Sequence, residues 1–286
     1  MSALAATAHS AESDFDFVRE LVRRHSAIVL EDGKGYLVEA RLTPLARREG
    51  FASLAELVAQ LRTGRDPALQ RKVVEAMTTN ETLFFRDVHP FEALRASVLP
   101  ELVQRRAAVK QLRIWSAACS TGQEPYTIAI LLRESFPELA SWRVDIVATD
   151  LSTEVLEKAR AGVYGQIEVN RGLPARLMVK YFRQQGVEWQ LDDAIRAMVD
   201  FRELNLAEPW PAMGQFDVVF LRNVLIYFDR DTKKSILARV RSVLKPDGSL
   251  FLGAAETTMN LDDAYERVQL GKSGCYRVKQ SAARPA

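Results

Sequence analysis

The chain has 286 residues, 48% of them apolar and 27% charged, with 39 Lys and Arg against 37 Asp and Glu. That length predicts about two domains and the composition is that of a folded globular protein, which excludes a disordered chain. A net charge of +2 argues against a uniformly basic nucleic-acid binder, and two cysteines, Cys119 and Cys275, build neither a disulfide framework nor a zinc site on Cys ligands.

No apolar run approaches the ~20 residues that a bilayer requires, and the N-terminus has neither a basic n-region nor an apolar h-region. A soluble cytoplasmic protein is expected. The first dozen residues, small and polar, are expected to fray. Helices are predicted over residues 14–77, where Phe17, Leu21, Val22 and His25 recur at helical spacing, as do Leu54, Leu57, Val58 and Leu61. Gly64 is placed to end the latter helix, and Pro44 to kink or restart the middle one with Thr43 as N-cap. A linker and connecting helix over 78–109 follow. From residue 110 the pattern changes to strands alternating with helices. Apolar runs at 112–115, 144–148, 216–221 and 249–253 are predicted strands, with helices at 125–134 and 153–161. A polar helix over 261–268 and a last strand over 274–278 complete the pattern. This predicts an α/β domain with a parallel sheet over 110–278. An insertion at about 163–197 breaks the alternation, and is read as a short helix over 174–182 and a hairpin turning at Leu191-Asp192-Asp193.

Residues 116–125, SAACSTGQEP, join a strand to a helix, where open α/β sheets bind ligands. They match neither a P-loop nor a dinucleotide fingerprint, because Gly122 is the only glycine and no Gly-Lys-Ser/Thr follows. Glu124 in the first helical turn would repel a phosphate, so a cationic ligand such as S-adenosylmethionine fits better, and a plain turn is the alternative. Asp150, at a strand end, is placed either to accept from both ribose hydroxyls or to cap the next helix, with Ser152 the better cap candidate. Asn205 and Asn223 follow two further strands, where side-chain amides can read an adenine edge. Neither N-P-P-Y nor D-P-P-Y, expected of an enzyme methylating base amino groups, occurs. The three histidines, His9, His25 and His89, lie in no motif of catalytic spacing, and no metal site is expected.

Six segments occur together and in order: MTTNETLFFRD, WSAACSTGQEPYTIA, VATDLS, FRELNL, RNVLIYF and LKPDGSLFLGAAE. With them the chain resembles the CheR-type chemotaxis receptor methyltransferases over residues 15–278. The resemblance implies an α/β fold: a class I, Rossmann-like methyltransferase domain with a small all-helical N-terminal domain and an inserted β-hairpin subdomain. It implies methyl transfer from S-adenosylmethionine to glutamate carboxylates on the cytoplasmic helical bundle of methyl-accepting receptors, leaving γ-glutamyl methyl esters and S-adenosylhomocysteine. By position it puts Asn80, Thr82, Arg86, Glu124, Asp150, Asn205, Leu206, Asn223 and Val224 on the cofactor. Leu221 stands where a cysteine is common in the family. Arg86 and Tyr227 become the candidates for orienting the substrate carboxylate. A receptor glutamate is already ionised at neutral pH, so no general base is needed. The basic residues Arg41, Arg47 and Arg48 become a docking surface for acidic receptor helices, in an expected monomer that binds no nucleic acid and is recruited to receptor arrays at the inner membrane. The short insertion leans toward a version without a receptor-peptide tether. The alternatives are a methyltransferase for another carboxylate, and a non-catalytic S-adenosylmethionine-binding module.

Overall fold

The computed structural model describes residues 2–279, with side chains from residue 14 onward. Two compact units divide the chain: residues up to 79 with 206–208 and 227–232, and the remainder. Among the described residues no helix is long and apolar enough to cross a membrane.

The first unit is built on α1 (Ser2–Ser26), α2 (Gly35–Arg48), α3 (Leu54–Arg62) and α4 (Pro67–Ala76). Their apolar stripes, among them Val18, Val22, Leu42, Leu57, Leu61 and Val73, close one core. Each such side chain contributes about 1.5–3 kcal/mol on full burial. Ser53 and Asp66 cap α3 and α4 by accepting from the backbone N–H groups of Glu56 and Leu69. Gly64 lies just beyond α3 in the left-handed conformation, as predicted. The small residues after the start lie within α1, which begins at Ser2. One expectation changes here. Pro44 does not restart α2: the helix runs through it because Val38, Leu42, Leu45 and Ala46 bury one face, while Pro44 itself is exposed. Residues 227–228 join this unit through a bridge between Ile28 and Phe228, with the Val29 N–H donating to the Tyr227 carbonyl at 2.9 Å.

The second unit opens with a helical run of α5 (His89–Ala93), a π turn (Leu94–Val98) and α6 (Leu99–Arg106). The alternation then follows: β1 (Gln111–Ala117), α7 (Gln123–Ser135), β2 (Arg143–Asp150) and α8 (Thr153–Ala161). The insertion comprises β3 (Val163–Gly165), α9 (Gln166–Asn170), α10 (Ala175–Tyr181), β4 (Phe182–Gln185), β5 (Glu188–Leu191) and α11 (Asp193–Arg196). The chain continues with β6 (Val199–Glu203), β7 (Phe216–Leu221), α12 (Arg230–Val243), β8 (Leu244–Leu252), β9 (Tyr265–Leu270) and β10 (Ser273–Val278).

The main sheet has seven strands in the order β6-β2-β1-β7-β8-β10-β9. The first five run parallel and β10 is antiparallel to both its neighbours. From β1 the chain moves to one side through β2 and later returns to the other through β7. The C-terminal ends of β1 and β7 are therefore the topological switch point. Every residue of β7 is buried, including Asp217, whose carboxylate accepts from Arg106 Nε at 2.8 Å, Lys245 Nζ at 2.9 Å and the Arg113 backbone N–H at 2.9 Å.

The structure corrects three sequence expectations in this unit. The inserted hairpin turns at Gly186-Val187, with Gly186 at φ +62°, and not at Leu191-Asp192-Asp193; Asp192 instead caps α11. With β3 the hairpin makes a three-stranded sheet. Residues 265–270 are a strand and not a helix, because the two-residue turn at Gly271-Lys272 folds them onto β10 and Tyr265 is buried with its hydroxyl donating to the Leu237 carbonyl. Finally, β8 begins at Leu244, before the predicted Pro246-Asp247-Gly248 turn. That turn bulges out of the strand, shifting the register between Phe216–Leu244 and Val218–Ser249.

Candidate functional site

Polar side chains concentrate where β1, β2, β7 and β8 end. The loop from β1 to α7 changes direction through three left-handed residues, Ala118 (φ +54°), Ser120 (φ +50°) and Gly122 (φ +93°). A non-glycine residue in this region costs about 1–3 kcal/mol unless its surroundings fix it. Here they do: the Cys119 N–H donates to the Thr149 carbonyl at 2.9 Å and the Ser120 N–H to Asp150 Oδ2 at 2.8 Å. At Gly122 a side chain would press on Ala159, Tyr126 and Phe201 within 3.3 Å, so glycine is required for space as well as for φ.

Asp150 ends β2 and is 7% exposed. Its second oxygen accepts from the Ser152 N–H at 3.0 Å, while the Ser152 hydroxyl caps α8. Ser152 is thus the cap of α8, as the sequence suggested, while the Asp150 carboxylate accepts from backbone N–H groups on both sides of it. Two backbone donors on two oxygens hold the carboxylate in one orientation.

Glu124 lies in the first turn of α7. Its Oε1 accepts from Ser116 Oγ at 2.8 Å and its Oε2 from Arg222 Nη1 at 2.9 Å. Arg222 follows β7, and its side chain is only 1% exposed. Its Nη2 also donates to Asp87 Oδ2 at 2.6 Å and to the Arg86 carbonyl at 3.0 Å. Asn223 is left-handed (φ +58°), a conformation asparagine tolerates. Glu256 holds that turn: its carboxylate accepts from the backbone N–H groups of Asn223, Val224 and Gly253 at 2.8, 2.9 and 2.7 Å.

The segment 80–88 meets these strand ends. The Asn80 carbonyl accepts from Ser120 Oγ at 2.8 Å, and Thr127 Oγ1 accepts from the Phe85 N–H at 3.0 Å. Phe84 is fully buried against Tyr164 and Phe182. Beyond it the backbone is strained: Phe85, Asp87 and Val88 all have positive φ. Val88, at φ +48° and ψ −54°, centres a γ-turn in which the His89 N–H donates to the Asp87 carbonyl. A β-branched residue there needs strong support on both sides.

Residues 13–78 match the family described as CheR methyltransferase, all-alpha domain, and residues 80–273 match CheR methyltransferase, SAM binding domain. The chain belongs to the CheR methyltransferase family. It is similar to Chemotaxis protein methyltransferase 1 of Pseudomonas aeruginosa, 46% identical over 275 residues that cover 94% of this chain and 99% of that protein. It is also similar to Chemotaxis protein methyltransferase Cher2 of Pseudomonas putida, 42% identical over 93% of this chain and 98% of that protein. Chemotaxis protein methyltransferase of Vibrio parahaemolyticus is 41% identical over 92% and 96%.

As a CheR-family member the chain is an S-adenosylmethionine-dependent methyltransferase. The polar groups at the strand ends fit that cofactor. A fixed carboxylate at Asp150 suits a diol, an acidic first turn of α7 suits a cationic amino-acid group, and that turn disfavours a pyrophosphate. Of the cofactor candidates, Asn80, Thr82, Arg86, Glu124, Asp150, Asn205, Asn223 and Val224 fall in the second unit, and Leu206 in the first. Arg86 Nη1 donates to the Glu81 carbonyl at 2.8 Å within its own segment. Tyr227, half-buried, falls in the first unit at the end of a 3-10 turn (Leu225–Tyr227). Of the basic residues, Arg47 and Arg48 are exposed. Arg41 donates to the Met77 and Thr78 carbonyls at 2.8 Å each and to Thr79 Oγ1 at 3.1 Å, closing the C-terminus of α4. Sequence reasoning passed over Arg222, Asp87, Ser116, Ser120 and Glu256. Their only signal was adjacency: Arg222 precedes Asn223, and Glu256 closes the GAAE segment.

Proposed function

We propose that this methyltransferase esterifies glutamate side chains on the cytoplasmic helical bundle of chemoreceptors, giving γ-glutamyl methyl esters in sensory adaptation. The observation that carries the reading is the pairing of a carboxylate-rich strand-end site with near-full-length similarity to chemotaxis protein methyltransferases. S-adenosylmethionine, when bound, supplies an electrophilic methyl group on sulfur. Asp150 holds its ribose, Glu124 faces its ammonium, Arg86 pairs its carboxylate, and Asn80, Thr82, Asn205, Leu206, Asn223 and Val224 complete the contacts. The receptor carboxylate is ionised at neutral pH with an ordinary pKa of about 4.3, so no side chain has to remove a proton. The protein's contribution is to orient and desolvate that carboxylate, with Tyr227 and Arg86 as the orienting groups. Arg47 and Arg48 offer the exposed positive charge for an acidic receptor helix. Arg41, spent on α4, contributes to that surface chiefly by holding its backbone.

The test is transfer of labelled methyl from S-adenosylmethionine to a panel of receptor cytoplasmic fragments, followed by alkaline release of methanol. Base-labile label on a receptor supports the reading. Base-stable label, or none despite cofactor binding by calorimetry, refutes carboxyl methylation of these receptors.

A further inference from the structure

Arg222 has no part in the cofactor contacts proposed above, yet its guanidinium bonds three groups at the strand ends. One guanidinium, 1% exposed, reaches the Glu124 carboxylate on α7, the Asp87 carboxylate and the Arg86 carbonyl. It also lies over the Phe91 ring, 5.5 Å from the centroid. Its Nε, buried, finds no acceptor among the described residues. The three acceptors belong to two separate pieces of chain, and Arg222 itself sits on a third, directly before Asn223. A lysine has no planar fork with which to span them. Buried ion pairs are poor sources of net stability, because apolar replacements of similar volume are often as stable. Geometry, not stability, is therefore the better account of why this one is here. Two features need such a fixed point. The Glu124 carboxylate must hold one orientation, and the γ-turn at Val88 persists only if its neighbours over-determine it.

We infer that Arg222 is a positioning residue: it sets the Glu124 carboxylate and pins the strained 85–88 turn, so that α7, the 80–86 segment and the end of β7 present the cofactor with one rigid set of groups. This rests on the proposed placing of Glu124 at the cofactor. A residue acting through Glu124 must be energetically coupled to it, which a generally stabilising residue need not be.

The experiment measures S-adenosylhomocysteine affinity by calorimetry on the full chain carrying Arg222→Met, Arg222→Lys, Glu124→Gln, and Arg222→Met with Glu124→Gln. We expect Arg222→Met and Glu124→Gln each to weaken binding about tenfold or more, in line with the loss of a charge-assisted hydrogen bond. Arg222→Lys should recover part of that loss, and the double variant should bind no more weakly than the worse single one. If Arg222→Met fails to fold, Arg222→Lys carries the comparison, with Arg222→Lys and Glu124→Gln combined. Losses that multiply in the double variant overturn the inference, as does wild-type affinity at position 222 variants when Glu124→Gln is weakened. Wild-type affinity in Glu124→Gln overturns the placing of Glu124 itself, and the inference falls with it.

Discussion

Asp150→Asn is the substitution whose consequences follow most directly from the geometry. The carboxylate receives one backbone N–H on each oxygen, from Ser120 and Ser152. An amide keeps a single acceptor, so its NH2 must confront one of those two donors. Leaving a buried donor unsatisfied costs about 1–3 kcal/mol. The proposed diol acceptor also loses its charge, and hydrogen bonds to a charged group contribute about 1.5–3 kcal/mol. At 1.4 kcal/mol per tenfold, that removes between about tenfold and a hundredfold of cofactor affinity. Calorimetry with S-adenosylhomocysteine reads the second quantity, and urea unfolding of the free protein reads the first. Affinity within threefold of wild type in a folded Asp150→Asn protein would refute the ribose assignment. Unchanged stability would show that the two N–H bonds do not constrain the loop as argued.

Glu134 is held at a pKa of about 2 by the Lys180 ammonium, the Tyr181 hydroxyl and the Arg176 guanidinium that surround it. Its folded pKa lies below the unfolded one, so its stabilisation is complete above about pH 4.5 and is lost as pH falls toward 2. Acid-unfolding curves of Glu134→Gln should lack that part of the pH dependence. Asp217→Asn breaks a buried pair shared by Arg106 and Lys245, and should cost about 3–5 kcal/mol in urea unfolding. Charge reversal at Arg47 and Arg48 should raise the KM for receptor fragments while leaving S-adenosylhomocysteine affinity unchanged; a normal KM removes that docking face. Tyr227→Phe should lower kcat more than cofactor affinity, and an unchanged kcat takes Tyr227 out of the mechanism.

The fold was legible where one periodicity dominated. The helices of the first unit and the runs of β1, β2 and β7 are continuous or regularly spaced apolar patterns, and their elements fall where expected. It was less legible where composition and tertiary pairing disagreed. Residues 261–268 are polar enough to suggest a helix, but residues 265–270 have a partner in β10, and the hairpin signal of Gly271-Lys272 carries more weight than the composition. Pro44 is exposed on a helix whose opposite face is buried, and packing overrode its preference. At the site, the strand-end positions of Asp150 and Asn223 could be read directly from the alternation. Arg222 and Glu256 could not, because their roles consist of bonds to Glu124, Asp87 and backbone groups distant in sequence.

The π turn at Leu94–Val98 bears on how the helical run around it tolerates change in length. Upstream of it, Phe91 stacks on Phe220 with rings 5.7 Å apart and lies beneath Arg222. Downstream, Arg106 reaches Asp217 at 2.8 Å and Asp247 at 2.6 Å. One extra residue in a helical turn rotates everything after it by about 100°. A regular helix could aim only one of these two anchor sets at the sheet. Deleting one residue between positions 94 and 98 would straighten the hydrogen-bond ladder and improve local helicity, yet swing Arg106 off its carboxylates. Single-residue length changes in this helix should thus be more damaging than most side-chain replacements along it.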